Sequence, residues 1–481
     1  MALPKTVRRT RRKAARLIAS AGLALALATQ SAQSETLADA LVAAYKTSGL
    51  LQQNRALLRA ADEDVATAVS ALRPILNYSA SLQRDFGDRR STSTLTGTAS
   101  TSNLESTNAT AQLTASLLLY DFGATSLGVD AAKETVLATR QQLISLEQEV
   151  LRRAVLAYLN VVASREFVSL RQNNLRLLTQ ELRAAQDRFE VGEVTRTDVS
   201  QAEASLAEAR SGLATAQGDL MTAVEEYRSV TGNVPGALAP PPRLPQLDNN
   251  IETARARAIQ SHPDLRAAQH QVAAAELNIM RAKASLNPSL SADGSLSYTE
   301  NLDSSNFTRS GNIGLQLSGP IYRGGALSSA IRSAMASRDA QRGNLINVQR
   351  RISQDVGAAY AALTAQRASL QATEERIRAA RIAFEGVREE ATLGARTTLD
   401  VLDAEQELLD AETSRISAQA DLYLAAYDVL QATGRLTTRD LALNVQQYDP
   451  SAYYDLVKDA PVPISRQGQK LDRVLRALQA D

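Results

Sequence analysis

The hydrophobic pattern along the chain changes period several times, and the changes repeat. From Leu76, apolar residues (Leu76, Tyr78, Ala80, Leu82) alternate with polar ones (Asn77, Ser79, Ser81, Gln83). The same period of two returns in Ala109, Ala111, Leu113, Ala115 and Leu117, in Leu290, Ala292, Gly294, Leu296 and Tyr298, and in Ile313, Leu315 and Leu317. Such alternation predicts four strands with one apolar and one Ser/Thr/Asn/Gln face, over about 75–86, 107–121, 289–300 and 310–322. Helical stretches precede each strand pair, Thr36 to Leu72 and Ile251 to Leu286, each followed by a proline-bearing turn.

After each strand pair comes a proline-free run, Ala124 to Glu190 and Ala326 to Thr392. At 1.5 Å per residue, each would be a helix of about 100 Å. The distal halves carry heptads: Leu175, Leu178, Leu182, Ala185 and Phe189, then Ile377, Ala380, Phe384, Val387 and Ala391. Beyond a glycine turn the heptad resumes, in Val199, Ala202, Leu206, Ala209 and Leu213 and in Val401, Ala404, Leu408 and Ala411. Each run therefore folds back as an antiparallel coiled-coil hairpin whose tip turns at Gly192 or Gly394.

The chain is a tandem repeat. Gly123 recurs as Gly325, Gly192 as Gly394 and Gly232 as Gly434, each 202 positions later. The organisation reads as an export signal over 1–32, a first repeat over 33–232 with its hairpin at 124–232, and a proline-rich linker over 233–250. A second repeat over 251–434, with its hairpin at 326–434, and a C-terminal segment over 435–481 follow. The export signal rests on a basic run (Lys5, Arg8, Arg9, Arg11, Arg12, Lys13, Arg16) before a short apolar stretch from Leu17 to Ala28.

Composition narrows the function. The 481 residues carry a net charge of +1, so no global field favours nucleic acid. The absence of cysteine excludes thiolate chemistry, disulfides and a cysteine-linked lipid anchor. No motif for nucleophilic catalysis or nucleotide binding occurs, and the two histidines, His262 and His270, read as solvent-facing helix positions. An enzyme, a cofactor and a metal site are not expected. Gly123, Gly324 and Gly325 read as bends where strand becomes helix. Four strands with a polar face suit a lipid-facing barrel with a wet interior, and four cannot close one alone. Asp400, Asp403, Glu407 and Asp410 share one helix face, readable as a solvated surface or as a charged lining.

The duplicated plan, "LLLYDFGA", "GPIYRGGA", the tips "RFEVGEVTRTDV" and "LGARTTLDVLDA", and "TLADALVAAY" resemble the TolC family of outer membrane efflux proteins. The resemblance spans essentially the whole mature chain. It implies a mainly α fold with membrane β: a homotrimer sharing one 12-stranded β-barrel in outer membrane lipid, continuous with an α-helical tunnel through the periplasm. It implies an exit duct for a tripartite efflux pump or a type I secretion system, docking a periplasmic adaptor and an inner-membrane transporter of the RND or ABC class. The C-terminal segment would form an equatorial belt. Asp400 and Asp403 would ring the pore near its periplasmic mouth, and Thr197, Asp198 and Arg396 would latch neighbouring hairpins, although Ala391 stands where the family often has tyrosine. A periplasmic coiled-coil adaptor or scaffold is the competing reading.

Overall fold

A computed structural model describes residues 34–480 except 93 and 464; the expected export signal lies outside them. The chain order is α1 (Leu37–Thr47), α2 (Gly49–Ser70), β1 (Ile75–Thr92), β2 (Ala99–Tyr120), α3 (Ala124–Glu190) and α4 (Arg196–Thr231). The second repeat follows as α5 (Ile251–Ser261), α6 (Pro263–Ala284), β3 (Ser289–Asn301), β4 (Phe307–Ser318), α7 (Ala326–Thr392) and α8 (Thr398–Ala432). Two short helices, α9 (Pro450–Val457) and α10 (Arg466–Ala480), close the chain.

The helical stretch before each strand pair is two helices rather than one. In the first repeat Ser48 ends α1 and caps α2, its hydroxyl accepting from the Leu51 amide at 3.3 Å. In the second, His262 caps α6, whose first residue is Pro263. His262 is therefore buried, with Nδ1 accepting from the Asp264 amide at 3.2 Å, and is not solvent-facing. Burial also pushes its pKa down. His270 is half-buried and ties α6 to Glu134 of α3 at 2.7 Å.

The strands form one antiparallel sheet in the order β1-β2-β3-β4, so the β2–β3 pairing joins the repeats. The register aligns the alternation into continuous rows. Leu76, Ala115, Gly294 and Ile313 lie side by side, as do Tyr78, Leu113, Leu296 and Gly311. The opposite face carries Asn77, Thr114, Ser295 and Asn312, then Ser79, Gln112, Ser297 and Ser310. Among the described residues no helix packs across either face; on the apolar one Tyr78 is 88% exposed and Ile313 95%. The outer edges of β1 and β4 have no strand partner among the described residues.

β1 and β2 run further than the alternation suggests, to Thr92 and from Ala99, well past the end of the β3–β4 hairpin. The added pairs, such as Asp88 with Asn103 and Arg89 with Ser102, are polar on both sides, so no alternation marks them. β4 ends at Ser318, short of 322. Gly319 there passes so close to Pro288 that a Cβ would sit 2.8 Å from it, and Pro320 has no N–H to pair.

The main core lies midway along the long helices. Leu37, Leu41, Leu151, Val155, Tyr158, Tyr227 and Tyr427 bury together, joining α1, α3, α4 and α8. The proline-rich linker docks here: the Tyr158 hydroxyl donates to the Ala239 carbonyl at 2.6 Å. In the C-terminal segment α9 packs on α2 through Tyr453, Val457 and Ala66. No helix among the described residues is long and apolar enough to cross a membrane.

Candidate functional site: the hairpin tips and the sheet

Both tips are built alike. Gly192 and Gly394 turn the chain at φ 81° and 77°, a left-handed conformation that costs any other residue about 1–2 kcal/mol. Three residues later a capping box starts the returning helix. The Asp198 carboxylate accepts from the Thr195 amide at 2.8 Å and hydroxyl at 2.7 Å, and Thr195 accepts from the Asp198 amide at 3.3 Å. Asp400 and Thr397 repeat the arrangement at 2.9, 2.8 and 3.2 Å. These bonds hold both carboxyls below their usual pKa: the Thr195 hydroxyl leads for Asp198, the Thr397 amide for Asp400.

Two of the three expected latch residues, Asp198 and Arg396, line one cleft of about 990 Å³ between the tips together with Asp400; Thr197 does not line it. Asp198 and Arg396 do not pair. Arg396 instead bonds Glu390 of its own hairpin at 2.8 Å, which raises its pKa, while Asp198 is engaged in its cap. Thr197 is exposed and forms no side-chain hydrogen bond among the described residues.

The acidic face divides. Asp400 caps, Glu407 pairs with Arg376 across its hairpin at 2.7 Å, and Asp410 accepts from Gln406 at 2.9 Å. Asp403 is exposed with no protein partner among the described residues.

At the other end of the hairpins, Gly123 and Gly325 start α3 and α7 at φ 84° and 86°, with Gly324 at 57°. The Asp121 carboxylate caps α3 by accepting from the Gly123 and Thr125 amides at 3.1 and 2.6 Å. The glycines thus sit at the strand-to-helix bends.

One cluster escapes a reading of charge runs. Glu405 of α8 is 5% exposed and accepts from Asn174 Nδ2 of α3 at 2.7 Å. Burial pushes its pKa up to about 7, against the Asn174 bond. A sequence signal exists: Leu402, Glu405 and Leu409 lie on one helical stripe, so the acid occupies a core-facing position. Its counterpart one repeat earlier, Glu203, is exposed. No group of His, Cys, Asp and Glu among the described residues is arranged to hold a metal.

Comparison with known proteins fits this geometry. The family model described as outer membrane efflux protein matches residues 40–233 and 254–435. The outer membrane efflux protein BepC of Brucella suis biovar 1 (strain 1330) is 36% identical over 438 residues, covering 90% of this chain and 92% of BepC. The outer membrane protein TolC of Vibrio cholerae serotype O1 is 27% identical over 392 residues, covering 79% and 86%. A crystal structure of CusC superposes with a TM-score of 0.71 at 18% identity, covering 83% of this chain and 92% of CusC. The chain belongs to the outer membrane efflux protein family. It is an outer-membrane protein and not an enzyme.

Proposed function

We propose that this member of the outer membrane efflux protein family is a homotrimeric exit duct. The observation that carries the reading is the four-stranded sheet: among the described residues one face is apolar and uncovered, the other polar, both edges are unpaired, and long helices leave from one end. A wet sheet has no reason to expose a row such as Leu76, Leu82, Leu315 and Leu317. Lipid supplies the missing cover, and a strand edge inside a bilayer must be paired. Three copies bring twelve strands, with β1 of one protomer against β4 of the next. A coiled-coil scaffold gives no account of the uncovered sheet.

In this reading residues 1–32 direct export, and the hairpins extend the barrel into a periplasmic tunnel. The C-terminal segment girdles the tunnel, and the tips engage a periplasmic adaptor that links the duct to an inner-membrane transporter. The cargo is a drug-like solute or a secreted protein, delivered by that transporter. Asp403 lines the mouth together with Asp400, whose cap leaves its charge in place. Thr197, Asp198 and Arg396 meet neighbouring tips in the assembled mouth, where Arg396 exchanges Glu390 for Asp198.

Reconstitution of the purified protein in planar bilayers tests the duct. The expected result is discrete, cation-selective channels from protein extracted only by detergent. Release from membranes by salt alone, with no channel activity, overturns the reading.

A further inference from the structure

The two hairpins of one protomer are joined along α3 and α8 by a ladder of polar contacts. Arg152 meets Asp428 at 2.6 Å, and Glu166 meets Arg415 at 3.7 Å. Nearer the tip, Asn174 meets Glu405 at 2.7 Å. Beside that last rung Leu402 of α8 inserts among Leu178, Leu206 and Ala209 of the first hairpin. Still nearer the tip the hairpins meet through Leu177 on Phe384, Ala391 and Val401 and through the partly exposed pair Arg388–Glu181 at 3.8 Å, before the cleft already described. The Glu405 rung is the last polar contact between them whose carboxylate is buried.

It differs from the other rungs. The others are exposed or half-exposed ion pairs, worth little each. Glu405 is buried, its partner is a neutral amide, and its Oε2 has no hydrogen-bond partner. A buried carboxylate without a cation is costly, and the protonated acid much less so. The charged groups acting on it are Glu181 of α3, which repels the anion, and Arg388 of α7, which favours it. These two face each other at 3.8 Å, so Arg388 is shared. From α4 the contributions to the adjoining cluster are the apolar Leu206 and Ala209.

We propose that Glu405 is a positioning residue for the mouth: protonated and bonded to Asn174, it holds the second hairpin against the first, and ionised, it favours their separation. Spreading the hairpins hydrates the carboxylate, so its charge and the open arrangement support one another. The direction follows from linkage. The pKa is about 7 in the packed arrangement, against an ordinary 4.5 when hydrated. The packing contribution is fully present below the ordinary value and is lost as pH rises through the packed one. Across that window the ratio of spread to packed hairpins rises by up to about a hundredfold. Asp198 and Asp400 do not confuse it, because their caps place their titration lower.

The inference rests on the duct reading only for its electrical readout, so the test has two arms. The chain lacks cysteine, so Glu193→Cys with Ala395→Cys, both at exposed tip positions, gives a clean pair for spin labels. In the full-length protein the tip distance should lengthen between pH 5 and pH 8, and in planar bilayers conductance should rise over the same interval. Glu405→Gln keeps the shape and the Asn174 bond without the charge. It should hold the short distance and low conductance at both pH values. Asn174→Ala should loosen the tip at both. A pH response in Glu405→Gln equal to that of the wild type overturns the proposal. Absence of any channel with a pH-dependent, Glu405-dependent tip distance would sink the duct reading and leave the latch standing.

Discussion

Two neighbouring residues on β4 distinguish a membrane sheet from a wet one. Ile313 lies on the apolar face and Gln316 on the polar face. Both are exposed in the protomer, so replacement by arginine costs neither of them packing. If both faces met water, Ile313→Arg and Gln316→Arg would each change stability within about 0.5 kcal/mol, as surface substitutions do. In lipid they diverge. From Leu317 to Phe307 this face spans about 33 Å along the strand, and about 23 Å of depth at a tilt near 45°; its Arg309 lies only about 5 Å in depth from the Phe307 end, where an arginine costs little. Ile313 sits about 9 Å in from the Leu317 end, close to the midplane. Arginine there costs about 2–4 kcal/mol per chain, and about three times that in a trimer. Gln316→Arg faces the lumen and leaves folding unchanged. The assay is the urea midpoint of the detergent-folded protein, followed by loss of the heat-modifiable gel band, beside the amount recovered in the outer membrane. Equal behaviour of the two variants would refute the lipid assignment of this face.

Tyr158→Phe removes a buried hydroxyl that bonds the linker carbonyl of Ala239. It should lower stability by about 1–3 kcal/mol, seen as a lower denaturation midpoint with channel conductance retained. Asp403→Asn should reduce cation selectivity, read as a smaller reversal potential under a salt gradient, without altering the tip helices; unchanged selectivity would make Asp403 an outward-facing charge. Asp400→Asn should reduce selectivity and also weaken the capping box, seen as faster amide exchange over the first turn of α8. Asp62 is fully buried on α2, and burial raises its pKa to about 6 against the Arg140 charge. Its protonated form favours the fold, so stability from this site is present below about 3.8 and lost as pH rises through about 6. Asp62→Asn should flatten that part of the stability profile, and an unchanged profile would rule it out.

Much of the architecture is written in period. Two-residue alternation placed the four strands because each side of the sheet meets one environment, apolar or wet. Where β1 and β2 extend as polar ribbon from Gly87 to Thr92 and from Ala99 to Thr107, both sides meet water and the pattern vanishes. The hairpins were legible because Ala202, Leu206, Ala209, Ile377, Ala380 and Ala411 bury on a heptad, although Phe189 at the tip is 45% exposed. The break at Ser48 was not legible: one capping serine inside a helical pattern leaves the apolar period intact. His262 was misread for the same reason, since a histidine can cap a helix only if the chain turns there. At the tip, the family resemblance pointed to Asp198 and Arg396, which line one cleft, but not to the local competition. A carboxylate three residues after threonine caps its own helix first, and Glu390 lies nearer to Arg396. Glu405 shows the limit of reading by repeat. The same residue type at Glu203 is solvated, and only the packing of α8 on α3 separates the two.

In the proposed duct each chain supplies one third of a closed barrel. Native mass spectrometry of the detergent-extracted protein tests it most directly, because the four strands of one chain must be completed by whole copies. The expected result is a particle of three chains, twelve strands in all. A stable single chain, or an assembly of two or four, would contradict it.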